Sequence, residues 1–174
     1  MSTNAHKFAC LLLILSGVPL ALAQAPANRP PPPPRARGPA LAVAVQAAQI
    51  AVATCKEHGY KTTALIVDSA DVPVVLLSGD GVFALSQTIA ATKAAAAIRY
   101  RMSSGEVANK AKTDAALAAQ ITGDPKIGTA RQGALLLKAG DDIIGALAVS
   151  GAPGGDKDEA CAQAAIDKVK DQLQ

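Results

Sequence analysis

The chain has 174 residues, of which 50% are apolar and only 2% aromatic, so it suits one domain whose core is filled mainly by alanine and valine. The formal net charge is +3, but four of the 17 basic residues precede residue 38, and the remainder carries 13 lysines and arginines against 14 acids. This balance argues against a basic face that binds nucleic acid.

The first 23 residues are typical of a secretory signal peptide. His6 and Lys7 precede an apolar run at residues 8–18, and residues 21–23 have the small-x-small pattern of a signal peptidase site, so we expect cleavage after Ala23. The alternative is a membrane anchor, but the apolar run is shorter than the ~20 residues of a membrane span. The sequence predicts a periplasmic or extracellular protein without a stable membrane anchor in its mature form.

Residues 24–38 are predicted to form a linker rich in proline and arginine. Five consecutive prolines at residues 30–34 favour an extended polyproline II segment. The flanking arginines are suited to acidic lipids or to a domain that recognises proline-rich peptides, but a simple spacer is the favoured interpretation.

The first predicted helix begins near Pro39 and ends at residues 58–59, where Gly59 supplies a left-handed cap. One stripe of this helix is apolar and is predicted to face the core. The stripe consists of Leu41, Val45, Ala48, Val52 and Cys55.

A first pair of strands follows, at residues 64–67 and 74–77. Their apolar, β-branched runs are separated by a short polar segment, and Pro73 fits the start of the second strand because it lacks a backbone donor. Neither run alternates between apolar and polar residues, so both faces of this hairpin are predicted to be covered, with helices as the cover.

Two helices come next. The first is capped by Ser86 and holds four consecutive alanines at residues 94–97, which allow another backbone to pack closely, either in the same chain or in a second subunit. The second begins at a capping box formed by Ser103 and Glu106 and extends to about Gln120.

A second hairpin is predicted at residues 134–137 and 143–149, followed by a glycine-rich loop at residues 150–155 and a last helix. Asp156 and Glu159 repeat the capping-box spacing at the start of that helix. Free N–H groups in the loop are able to receive an anion, although a plain connection is the favoured interpretation.

The element order is helix, two strands, two helices, two strands and helix, which predicts an α+β domain with an antiparallel sheet. The sequence lacks a phosphate-binding glycine motif between strand and helix, a Ser-His-Asp constellation and the spacing of a zinc site. We therefore expect a non-catalytic protein, and an enzyme ranks last among the alternatives.

Several segments resemble the GlcG/HbpS family of haem-binding proteins, also called the haem-degrading domain family. The matching segments are Val67-Asp68, Asp80-Gly81-Val82, Lys93, the run GALAVSG at residues 145–151, and Asp158-Glu159. The resemblance spans residues 40–171 and assigns residues 39–174 to one GlcG/HbpS-like domain. It implies a profilin-like α+β fold with about five antiparallel strands, a homo-oligomer, and haem or another small molecule as ligand.

Three side chains are candidate iron ligands. His58 is the only histidine after residue 23 and offers the commonest haem ligand, although a histidine at a helix C-terminus also interacts well with the helix dipole. Tyr100 and Met102 are able to ligate iron, but packing at the end of the alanine-rich helix is the favoured interpretation for both.

Charged residues supply the remaining candidates for ligand binding. Arg99 and Arg101 are suited to haem propionates, because arginine binds carboxylates in a bidentate manner, but solvated surface positions are the commoner role. Lys93 corresponds to the family lysine, and we expect it to pair with Asp68. A structural and a ligand-binding role for this pair are equally favoured.

Cys55 and Cys161 lie on or beside the apolar stripes of the first and last helices. If these helices pack antiparallel in an oxidising compartment, we expect a disulfide between the two cysteines. Free buried thiols are the alternative.

The sequence as a whole predicts a secreted, non-catalytic protein that binds haem or another small molecule. The alternative function is an oligomeric interaction module that partners an envelope sensor or a transport system without haem. An enzyme that degrades haem or acts on a small organic acid ranks last.

Overall fold

A computed structural model describes residues 36–174. The predicted signal peptide and most of the predicted linker therefore lie outside the described residues. Within them, the chain forms helices and strands in the order α1, β1, β2, α2, α3, α4, β3, β4, α5, followed by a 3-10 turn. The bounds are α1 Leu41–Glu57, β1 Thr63–Asp68, β2 Pro73–Ser78, α2 Leu85–Tyr100, α3 Ser104–Ala111, α4 Ala115–Gly123, β3 Ala134–Ala139, β4 Asp142–Ser150, α5 Gly155–Val169 and the turn Lys170–Gln172.

The strands form one antiparallel sheet in the order β2-β1-β4-β3. Two hairpins, β1–β2 and β3–β4, join side by side through β1 and β4, where Ile66 pairs with Leu147. The α+β class and both predicted hairpins are confirmed. The described residues contain four strands, however, and not the five or so that the family resemblance implied.

Helices α1 and α5 pack together on one face of the sheet. The buried side of α1 is an alanine stripe with Cys55 at its end, and Leu41 and Val45 of the predicted stripe are exposed instead. Small residues face inward because they let the helix approach both the sheet and α5 closely. The inward-facing residues are Ala44, Ala47, Ala48, Ala51 and Cys55.

Helix α2 covers the opposite face of the sheet. Ala90, Ala94 and Ala97 pack on Leu65 and Val67 of β1 and on neighbouring alanines of β3 and β4. The close approach predicted from the alanine run therefore occurs within the chain itself.

Strand β2 lies at one edge of the sheet and is only partly covered. α1 packs on one face of β2, whereas α2 packs on β1, β4 and β3. Leu76 is consequently 46% exposed, and Val72 just before the strand is also exposed. The prediction that both faces of the first hairpin are covered holds for β1 and is wrong for β2.

The predicted helix at residues 103–120 is two helices. The Ser103–Glu106 capping box is present at the start of α3, as predicted. The chain then turns at residues 112–114, and the Asp114 side chain accepts a hydrogen bond from the Leu117 N–H to begin α4. Asp114 competes locally for backbone donors, which favours a new helix start over a continuous helix.

A disulfide joins Cys55 of α1 to Cys161 of α5, with 5.6 Å between their Cα atoms, which confirms the predicted bond. Both cysteines are buried between the two helices. In the part of the chain that the structure describes, no helix combines the length and apolar character needed to cross a membrane.

Candidate functional site

An open cavity of about 480 Å³ lies between α2, α3 and the glycine-rich loop that precedes α5. We call it the α5 cavity, and we define it by Lys93 on α2, Lys112 after α3, Arg131 before β3, and the loop at residues 150–156. Its volume falls in the range of about 300–1,000 Å³ that is usual for small-molecule sites.

A buried ion pair lines the inner end of the α5 cavity. The Lys93 Nζ donates to Asp158 Oδ2 at 2.6 Å and to the Val149 carbonyl oxygen at 2.8 Å. The other Asp158 oxygen, Oδ1, accepts from the Ala152 N–H at 2.9 Å. Lys93 is only 2% exposed and Asp158 only 3% exposed, so the pair is held by hydrogen bonds in the protein interior.

The prediction that Lys93 pairs with Asp68 is wrong. Lys93 contacts Val149, which pairs with Ala64, whereas Asp68 pairs with Gly145 at the far end of the same two strands. Four residues of strand separate the two ends, about 13 Å at the rise of an extended chain. Asp68 instead accepts hydrogen bonds from backbone N–H groups in the turn between β1 and β2.

Burial governs the protonation equilibria of the ion pair. It lowers the pKa of the Lys93 ammonium, and the attraction of Asp158 opposes this effect. Burial likewise raises the pKa of the Asp158 carboxyl, and the contact with Lys93 opposes this effect. Each side chain thus offsets part of the desolvation cost of the other.

Gly133 provides the space that Lys93 needs. Its φ is +130°, and a Cβ atom at this position would lie 2.6 Å from Lys93 Nζ and 2.8 Å from the Val149 carbonyl oxygen. A larger residue would therefore displace the ammonium from its acceptors.

The loop before α5 brings backbone close to the cavity. A Cβ on Gly151 would overlap the Lys61 carbonyl oxygen, and one on Gly155 would lie 2.6 Å from that of Gln132, so these contacts require glycine. The N-cap of α5 is Gly154, without a side-chain cap, and the predicted capping box of Asp156 and Glu159 is wrong.

Glu159 and Ser86 make contacts that the sequence did not predict. The carboxylate of Glu159 accepts from Gln132 Nε2 at 3.0 Å, which links α5 to the segment before β3. The Ser86 hydroxyl, predicted to cap α2, donates to the Ser150 carbonyl oxygen at 2.6 Å, because α2 begins at Leu85 with Ala84 as its N-cap. Both contacts hold the walls of the α5 cavity.

The structure does not bring the predicted site residues together. His58 is exposed at the end of α1, with its ring 6.0 Å from that of Tyr60, and lines a separate hollow of about 300 Å³. Tyr100 packs in a cluster with Val107. The binding roles of His58 and Tyr100 stay predictions.

Met102 and Arg99 also lie apart from Lys93. Met102 lines a groove beside β3, together with Arg101. Arg99 is exposed, with its Nε 3.6 Å from Asp124 Oδ2. Of the seven predicted ligand-binding residues, Lys93 alone lines the α5 cavity. The roles predicted for Met102, Arg99 and Arg101 also stay predictions.

Sequence reasoning missed Asp158, Arg131 and Phe83 as cavity residues. A lysine surrounded by alanines indicates a carboxylate partner, but the sequence singles out Asp158 only as part of the family motif Asp158-Glu159. Arg131 and Phe83 lie in loops and carry no local pattern that distinguishes them from other surface residues.

The α5 cavity fits one part of a haem group. Lys112 and Arg131 are suited to its carboxylates. Among the described residues, however, no histidine, cysteine, methionine or tyrosine lines this cavity, and no group of three potential metal ligands is found. The cavity therefore offers the carboxylates their partners but offers the iron none of its usual ligands.

Solved structures share this fold. The chain is 26% identical to HbpS, with a TM-score of 0.71 over 82% of this chain and 98% of HbpS. It is 27% identical to a double mutant of Streptomyces reticuli HbpS, with a TM-score of 0.73 over 84% of this chain and 98% of that one. A crystal structure of PduOC in complex with haem matches at 22% identity and a TM-score of 0.69, over 75% of this chain and 94% of PduOC.

The sequence also matches a protein family. No curated protein is matched by the chain. The model of the family described as haem degrading protein HbpS-like matches residues 40–167, which include every residue that lines the cavity. This match and the structural relatives show that the chain belongs to the HbpS-like family of haem-degrading proteins.

Proposed function

We propose that the chain is a secreted, non-catalytic protein that binds haem or a related small molecule in the α5 cavity. The observation that carries the proposal is the cavity itself, where a buried lysine, two exposed cations and the N-terminus of α5 surround a space of about 480 Å³. Such a space is of the right size for a small-molecule ligand, and its charges suit a ligand with carboxylates.

Family membership supports haem as the ligand. The family takes its description from haem-degrading proteins, and PduOC, which shares the fold, was crystallised in complex with haem. The disulfide supports the proposal of secretion, because disulfides persist mainly in oxidising compartments. Binding without turnover is favoured because Lys93 and Asp158 engage each other and do not form a free acid–base pair.

A haem titration followed by absorbance tests the proposal. We expect a saturable shift near one haem per chain in the unmodified protein. Ala108→Trp, which fills the cavity from α3, is expected to weaken binding at least tenfold. Ala119→Trp on the exposed side of α4 is the matched control and is expected to leave binding unchanged. If both variants bound haem equally well, the α5 cavity would not be the binding site.

The same titration tests the predicted iron ligands. His58→Ala, Tyr100→Phe and Met102→Leu each remove one candidate. A haem spectrum altered by one of these variants alone would assign the axial ligand and place the iron outside the α5 cavity.

The alternative, an oligomeric interaction module for an envelope sensor or a transport system, is favoured by one observation. β2 is an edge strand without a charged residue, and large apolar side chains are exposed around it. Natural edge strands are commonly protected by charges, so an uncharged edge suits a protein partner or a second copy. These exposed residues are Val72, Leu76, Phe83 and Leu85.

Light scattering coupled to gel filtration tests the oligomer. Leu76→Lys places a charge on the exposed face of β2 and is expected to convert a homo-oligomer to monomers. Leu41→Lys, on the exposed side of α1, serves as a comparison with the same charge change. A monomer in the unmodified protein would contradict the homo-oligomer.

A further inference from the structure

We propose that the α5 cavity recognises its ligand through carboxylates and needs no metal, so that a metal-free porphyrin binds about as well as haem. The inference rests on the proposed function and specifies which chemical groups of the ligand the same cavity recognises. It starts from the mismatch between the side chains of the cavity and the usual ligands of haem iron.

The α5 cavity offers haem iron none of its usual axial ligands. Haem iron is normally held by histidine, cysteine, methionine or tyrosine side chains. In the described part of the chain, the candidates for this role lie elsewhere, His58 beside Cys161 and Met102 beside β3. Binding energy in the α5 cavity must therefore come from the organic part of the ligand.

Lys93 offers a donor at the inner end of the cavity. An ammonium group carries three N–H donors. Asp158 and the Val149 carbonyl accept two of them, and the described residues provide no third acceptor within hydrogen-bonding distance. Because Lys93 is 2% exposed and lines the cavity, a ligand oxygen that reaches it forms a hydrogen bond largely shielded from water.

Two further cations stand at the outer end. Within residues 36–174, neither Arg131 nor Lys112 forms a salt bridge; Arg131 donates weakly to the Thr129 carbonyl and Lys112 donates to Asn109. The acids that line the cavity are Asp158, which Lys93 engages, and Asp156, and the carboxylate of Glu159 lies behind its wall. The rim therefore has an excess of positive charge.

The N-terminus of α5 adds to this positive end. The first turn of α5 presents backbone N–H groups next to the same rim, which favours an anion, and it also carries Asp156 and Asp158, which reduce this effect. A ligand with two carboxylates can thus contact Lys93 or the α5 N-terminus with one and Arg131 or Lys112 with the other.

The rest of the cavity suits an apolar, planar body. Phe83, Ile89, Ala108 and Ala130 line it, and the Phe83 ring is half exposed and free to contact a flat ligand. An apolar macrocycle with carboxylates along one side combines both requirements. A porphyrin has this shape whether or not it holds iron.

Three ligands separate the contributions of iron and carboxylate. Haem, metal-free protoporphyrin and the dimethyl ester of metal-free protoporphyrin are each titrated into the purified protein, with absorbance and porphyrin fluorescence as readouts. The protein variants are Lys112→Gln/Arg131→Gln and, as a control of equal charge change, Lys56→Gln/Lys168→Gln, whose two lysines are exposed and lie outside the cavity.

We expect haem and metal-free protoporphyrin to bind with dissociation constants within about threefold of each other, and the dimethyl ester to bind at least tenfold more weakly. The Lys112→Gln/Arg131→Gln variant loses charge-assisted hydrogen bonds to the carboxylates. We therefore expect it to bind both haem and metal-free protoporphyrin about tenfold more weakly, or weaker still. The Lys56→Gln/Lys168→Gln control is expected to stay within about twofold of the unmodified protein.

Each contrary result has a distinct meaning. Saturable binding of haem without binding of metal-free protoporphyrin would overturn the inference and leave the proposed function intact. Equal binding of the ester and the free acid would also overturn it. Failure of all three ligands to bind would overturn the inference together with haem binding itself.

Discussion

At the residue scale, the site depends on Lys93 and Asp158, whose charges are buried together. Removing one partner of such a pair leaves an uncompensated charge in the interior. We therefore expect Lys93→Met to lower the free energy of unfolding by about 3–5 kcal/mol, as measured by urea denaturation. Lys126→Met breaks the exposed ion pair with Asp71 and is the matched control, with an expected loss of less than about 1 kcal/mol. Equal losses in the two variants would show that Lys93 is not held as described.

Gly133 is the second residue on which the ion pair depends. Gly133→Ala forces a Cβ against Lys93 Nζ and places alanine at a φ of +130°, so we expect more than about 3 kcal/mol of destabilisation. Gly128→Ala is the control, because Gly128 has a φ of +61° with open space around it and should cost about 1–2 kcal/mol. Thermal unfolding of both variants measures the difference, and a smaller loss for Gly133→Ala than for Gly128→Ala would refute the steric argument.

At the element scale, α3 forms one wall of the α5 cavity and is held at its start by the capping box. The Ser103 N–H, and then its hydroxyl, donate to the Glu106 carboxylate and lower the pKa of Glu106. A lowered pKa means that the folded state favours the charged carboxylate, so this contribution is complete above the unfolded pKa of about 4.3 and is lost as pH falls through the lower folded value.

Glu106→Gln tests this dependence. We expect the variant to be less stable than the unmodified protein at pH 7 by well under 1 kcal/mol, because Glu106 is exposed and solvent screens its interactions. The difference should shrink as pH falls below about 4.3. Urea denaturation at several pH values measures it, and a difference that grows in acid would contradict the sign.

The elements also show which parts of the fold a single sequence can predict. Both hairpins were predicted because their apolar runs are bounded by polar turns, and the α3 cap because Ser103 and Glu106 have the required spacing. The prediction for the buried side of α1 is wrong because an alanine stripe differs little in hydrophobicity from its neighbours. The larger apolar residues Leu41 and Val45 therefore indicate a buried face that is in fact exposed. The break before α4 depends on Asp114, whose side chain caps a new helix. Whether the chain breaks there or continues as one helix depends on tertiary contacts.

The site was harder to predict than the elements. A lone lysine among alanines indicates a buried carboxylate, but the choice between Asp68 and Asp158 depends on which end of β1 and β4 faces α2. The pairing of β1 with β4 and the positions of α2 and α5 on the sheet decide this together, and all of them are long-range properties.

At the scale of the whole molecule, the disulfide ties α1 to α5 across 106 residues of sequence. The chain-entropy model gives about 4–5 kcal/mol for a loop of this length, which is an upper estimate. We expect Cys55→Ala/Cys161→Ala to lose about 3–5 kcal/mol in urea denaturation and to become insensitive to reductant. An unmodified protein whose stability does not respond to reductant would contradict a disulfide in solution.

Paramagnetic broadening by ferric haem shows directly whether the α5 cavity holds the ligand. Amide NMR signals close to the iron broaden when haem binds. If the α5 cavity holds the haem, the amide signals of residues 151–152, 154–156, 108 and 131 broaden, and those of His58 and Met102 stay unchanged. Broadening centred on His58 or on Met102, with sharp signals at residues 151–156, would contradict the account and place the haem in another hollow.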